Sequence, residues 1–132
     1  MDLHRFAVHM NAAEAINRLV SAAAAVPMGL VAHINGQANC AKKGIEVAPD
    51  QILEVFRPDF AVKVWAADKR AGFDIPIRIH VCEHEGKTWV ACRLPSVIFA
   101  PYGNPTLDAL GCELDAIFLR ILAMLHDAKD AT

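Results

Sequence analysis

The run His80-Val81-Cys82-Glu83-His84 gathers imidazole and thiol groups within five residues. These ligands suit zinc, copper or iron. On an extended strand, alternation sends His80, Cys82 and His84 to one side, with neighbours about 7 Å apart. Three groups in line along one strand cannot converge on one small ion. A soft-metal site at His80 and Cys82 therefore needs a further group from another strand, and His33 or His9 could supply it. Arg78 and Arg93 fall on the same side of the hairpin and favour an anion instead. The plainer reading is a histidine-rich face packed against a partner or open to water.

A second thiol sits in Asn39-Cys40-Ala41-Lys42-Lys43-Gly44. A cysteine near a helix start with lysines beside it could be an acidic nucleophile or persulfide carrier. A small buried cysteine beside solvated lysines is the simpler account. The candidate ligand-binding residues are thus His33, Arg78, His80, Cys82, Arg93 and Cys40, with His80 and Cys82 for a metal. Glycine-rich phosphate loops, G-x-S-x-G and H-E-x-x-H are absent, so no catalytic residue and no cofactor is identified. Cys92 and Cys112 read as packing residues, and Trp65 and Trp89 as core or interface.

The elements that must position these groups follow from patterning. Residues 3–10 alternate as a strand. Asn11 and Glu14 form a capping-box pattern before an alanine-rich helix to residue 26, and Pro27 ends it. Residues 28–34 and 51–57 read as strands, 37–43 as one or two helical turns, and 58–70 as a short helical segment. Residues 74–83 and 88–94 flank His84-Glu85-Gly86-Lys87 as a hairpin. Pairing Glu83 with Thr88 sets Val81 opposite Val90 and Ile79 opposite Cys92. One hairpin face is then Ile75, Ile77, Ile79, Val81, Val90, Cys92 and Leu94. Residues 95–105 read as irregular, and a last amphipathic helix extends to about Asp127. The order is β-α-β-β-β-β-α, which implies an α+β two-layer sandwich: an antiparallel sheet with helices on one face.

The 132 residues fit a single domain spanning 1–132. Hydrophobic residues make up 55% and charged residues 21%, which excludes a disordered chain. The formal charge of -2 and the lack of a basic stripe give no support to a nucleic-acid partner. No stretch is long and apolar enough for a membrane span, and no secretory pattern opens the sequence. Four cysteines without a disulfide-type spacing suit a reducing, cytoplasmic setting.

The run Gly29-Leu30-Val31-Ala32-His33-Ile34-Asn35-Gly36-Gln37-Ala38-Asn39-Cys40-Ala41-Lys42-Lys43-Gly44-Ile45-Glu46-Val47 resembles the central signature of a bacterial and archaeal family, domain of unknown function 302. The strand from Ile52 to Pro58, Phe73-Asp74-Ile75-Pro76-Ile77-Arg78-Ile79, and Trp89-Val90 are also similar. The resemblance implies a β-α-β4-α fold of the TATA-binding-protein-like type, often homodimeric, with no established activity. The sequence departs from the family at Asn35-Gly36, where Asp-His is usual, and at Phe56-Arg57-Pro58, where Gly-Asn-Pro is usual. An activity carried by that Asp-His pair would be lost here.

Three functions stay open on the sequence. They are a homodimeric interaction protein, a module binding a small molecule, anion or soft metal on the second sheet face, and a thiol carrier or enzyme using Cys40 or Cys82. The second, combined with homodimerisation, is the expectation.

Overall fold

Five stretches of alternating or apolar residues each become a strand, and the longest periodic stretches become helices. The structure, a computed structural model, describes residues 2–126. Its elements are β1 (His4–Val8), α1 (Ala12–Ala25), β2 (Gly29–Asn35), α2 (Gly36–Ala41), β3 (Asp50–Phe56), α3 (Pro58–Ala67), β4 (Ile77–His84), β5 (Lys87–Cys92), α4 (Pro95–Phe99) and α5 (Pro105–Ala123). The strands form one antiparallel sheet in the order β1-β5-β4-β3-β2. The expected α+β architecture is present, with α2, α3 and α4 inserted between its main elements.

The hairpin register is the expected one: Glu83 faces Thr88, Val81 faces Val90 and Ile79 faces Cys92. Glu85 and Gly86 turn it with φ of 51° and 78°. Two left-handed residues in succession match the right-handed twist of the strands they join.

Alternation then divides the sheet. Ile77, Ile79, Val81, Val90 and Cys92 are buried, together with Leu53 and Val55 of β3 and Val8 of β1. Against them pack Ile16 and Leu19 of α1 and Leu107, Leu114, Phe118 and Ile121 of α5. Both helices present apolar residues at three- and four-residue spacing, so each buries one stripe. α5 stops at Ala123, and its expected end at Asp127 lies outside the described residues.

Two caps tie distant segments together. Asn11 Oδ1 accepts the Glu14 amide at 2.8 Å, as the capping pattern predicts. The Glu14 carboxylate turns instead to Arg18, and Glu83 Oε2 at the far end of β4 accepts the Ala12 amide at 2.9 Å. Likewise, residues 95–105 are not irregular, since they contain α4. Asp115 Oδ1 of α5 accepts the Ser96 amide at 2.9 Å, and Gly111 admits α4 closely: a Cβ there would lie 2.7 Å from Ser96 Cα. A five-residue helix held by a cap from another helix leaves no periodicity to read.

Candidate functional site

Arg5 and Ala7 of β1, Asp50, Ile52 and Glu54 of β3, Arg78, His80 and Cys82 of β4, and Trp89 of β5 share the face turned away from α1 and α5. Its character is polar, and the guanidinium of Arg5 covers the Trp89 ring at 3.9 Å. Trp89, expected in the core or an interface, is instead covered by a cation over its ring. Exposed aliphatic residues also occur at the sheet edge, at Leu30, Val31 and Ile34 of β2, where Ile34 stands opposite Ile52.

The register sets Asp50 opposite Cys82 and Ile52 opposite His80. The Asp50 carboxylate leans diagonally, and its Oδ1 lies 3.0 Å from His80 Nε2. The ligand atoms of Asp50, His80 and Cys82 all fall within 4.8 Å of one another. Among the described residues, no other three His, Cys, Asp or Glu side chains gather as closely. Around a tetrahedral zinc ion, with bonds of about 2.0–2.3 Å, ligand atoms sit roughly 3.3–3.7 Å apart. The widest separation in the cluster, up to 4.8 Å, exceeds that spacing by about 1 Å.

Burial raises the Cys82 thiol pKa above its ordinary value, the Asp50 carboxylate adds to the rise, and Arg5 opposes it. A nucleophilic cysteine needs the opposite environment, so the carrier reading finds no support at Cys82. A cation held by the three groups would reverse this electrostatics, favouring the thiolate and balancing the carboxylate.

The other sequence candidates separate. His84 lies past the cluster, 3.3 Å from exposed Glu85. His33, expected on this face, points to the other: it faces Leu53, and its Nε2 lies 2.6 Å from Gln51 Oε1. The cause is a bulge between Leu30 and Ala32. Without that extra residue His33 would face Ile52, since a one-residue slip moves every side chain to the opposite face. His9 lies beyond the end of β1. Cys40 sits in the last turn of α2, not near its start, and lines a separate hollow with Gly36, Val47 and Asp50. The helix end that favours a thiolate is the other one.

Asn35, part of the departure from the family pattern, caps α2 by accepting the Ala38 amide at 2.9 Å. Gly36 adjoins Asp50: a Cβ there would be 3.1 Å from the Asp50 carbonyl oxygen.

Beyond His80 the face opens into a cleft of about 890 Å³ between the hairpin and residues 73–76. Arg78, Arg93, His80 and Glu54 line its sheet side, and Phe73, Ile75 and Ile98 its apolar side. Arg78 Nε is 3.3 Å from Glu54 Oε2. This cleft unites three sequence candidates, Arg78, His80 and Arg93, and leaves out His33, Cys40 and Cys82.

Comparison with known proteins adds the family. The model of the family described as "Domain of unknown function DUF302" matches residues 4–125. The chain belongs to this family. Its DUF302 fold is similar to the crystal structure of an uncharacterised conserved DUF302 protein from Bacillus stearothermophilus. The TM-score is 0.80 at 22% identity, covering 95% of this chain and 96% of that one. No curated protein matches the sequence. No helix among the described residues of this DUF302 domain is long and apolar enough to cross a membrane.

Proposed function

We propose that this DUF302 domain is a metal-binding module that holds a divalent zinc or copper ion on its open sheet face. The observation that carries the reading is the convergence of Asp50, His80 and Cys82 from two adjacent strands. A thiolate, an imidazole and a carboxylate form a donor set of borderline softness, which selects zinc or copper over magnesium or calcium. Three protein ligands leave a position for water or a ligand, the pattern of reactive sites; structural zinc sites close with four.

The test is calorimetric titration of the reduced protein with zinc, copper and magnesium. Zinc or copper is expected to bind at one site per chain, at micromolar affinity or tighter, and magnesium not to compete. His80→Ala and Cys82→Ser should each weaken binding by about tenfold or more. Equal binding by the His80→Ala, Cys82→Ser double variant would remove the proposal.

A second copy paired along β2 is a second reading, and it concerns assembly. Among the described residues β2 pairs only with β3; it carries no charged residue and exposes Leu30, Val31 and Ile34. Such an edge is a template for another strand. Sedimentation at micromolar concentration should show a dimer that Val31→Lys dissociates. A wild-type monomer of 14.4 kDa would end this reading.

A further inference from the structure

Arg78 and Arg93 come across from each other on the open face, because they flank the facing residues Ile79 and Cys92. Like charges opposed across a strand pair are destabilising unless a counter-charge sits between them. Glu54 meets Arg78 alone. Among the described residues no carboxylate lies within ion-pair distance of Arg93, whose side chain is exposed in the cleft. Of the other cleft acids, Asp74 accepts the Tyr102 hydroxyl, and Asp2 stands at the rim of the chain's first residues.

The opposite wall is apolar and includes a phenyl ring that folding leaves in water: Phe73 is 91% exposed. Leaving so large a ring unburied forgoes the stabilisation that burying apolar surface provides. The cleft volume of about 890 Å³ lies within the usual range for small-molecule sites. A cationic pair on one wall and an apolar ring on the other match a ligand with a charged head and an apolar body.

We infer that the cleft binds a small organic carboxylate, its charge on Arg93 and Arg78 and its aromatic or aliphatic body against Phe73. This goes beyond the metal reading and stands apart from it, because none of these three residues is a proposed metal ligand. His80 borders both places, so a bound carboxylate would lie next to the ion.

The experiment uses the full chain in chelator, so that loss of the metal reading leaves the outcome unaffected. Benzoate, phenylacetate and hexanoate are titrated and followed by calorimetry and amide chemical shifts. Inorganic phosphate supplies charge without a body, and 2-phenylethanol a body without charge. At least one carboxylate is expected to saturate below about 1 mM, and both controls to bind about tenfold more weakly or less. Arg93→Ala and Phe73→Ala, both at exposed positions, should each weaken the best carboxylate about tenfold with unchanged melting temperature. The inference is overturned if no carboxylate saturates by about 10 mM. Phosphate binding as tightly as the carboxylates, or wild-type affinity in both variants, would overturn it equally.

Discussion

Asp50 and Cys82 face each other across the β3–β4 ladder, and the Asp50 carboxylate reaches past that pairing to touch His80. Two strands thereby gather what the spacing along one strand keeps about 7 Å apart. The same carboxylate helps to hold the Cys82 thiol in its protonated form. Asp50→Asn should therefore have two opposite effects. Zinc affinity falls, because an anionic ligand is lost. Labelling of Cys82 by a disulfide reagent near pH 8 accelerates, because the thiol pKa moves back toward its ordinary value. The rate is best read in a Cys40→Ser, Cys112→Ser background. An unchanged labelling rate would show that Asp50 does not sense the thiol.

His80 and Cys82 were legible as one site because a strand's period of two is visible in five residues. Asp50 was not. It is the first residue of β3, one position before the strand expected from Gln51, and its role depends on a cross-strand register that no local pattern encodes. His33 shows the same limit, since a single bulged residue decides its face. The hairpin and α5 were readable because their apolar residues repeat over many positions. The cleft was not, because Phe73 belongs to no periodic segment.

The buried hairpin face bears the sheet-to-helix contact. Ile79 is fully buried, and Leu114, Phe118 and Ile121 belong to the same core. Ile79→Ala should cost about 2–4 kcal/mol in urea unfolding, the lost transfer energy plus that of the cavity. A loss below about 0.5 kcal/mol would mean that the face is not packed as described.

Gly111 has a steric role. A methyl group there would meet Ser96 backbone at 2.7 Å, and backbone cannot swing aside as a side chain can. Gly111→Ala gains helix propensity but is expected to destabilise by about 1–3 kcal/mol net through overpacking. A variant with a higher melting temperature would show that α4 moves freely on α5.

Glu83 closes the first turn of α1 from 71 residues along the chain. Its carboxylate both accepts an unpaired helix amide and sits at the positive end of the helix dipole. Glu83→Ala should cost about 1 kcal/mol, with Glu83→Gln between it and wild type. Equal stability of all three forms would mean that water replaces the contact at no cost.

Cys92 supplies the pH test. Burial is the main cause that pushes its thiol up to about 12 from an ordinary 9.0, and Asp115 adds to it. The folded pKa is the higher one, so the unfolded chain gives up this proton first as pH rises. The thiol's contribution to stability is complete below about pH 9 and is lost between about 9 and 12. Across that window each pH unit removes at most about 1.4 kcal/mol through this one group. The readout is a difference between two proteins, so that contributions of other groups cancel. Urea unfolding of wild type and Cys92→Val is compared at pH 7.5, 9.5 and 10.5. The wild type is expected to lose more stability with pH than the variant. Parallel losses would show that the Cys92 thiol ionises as readily in the folded protein as in the unfolded chain.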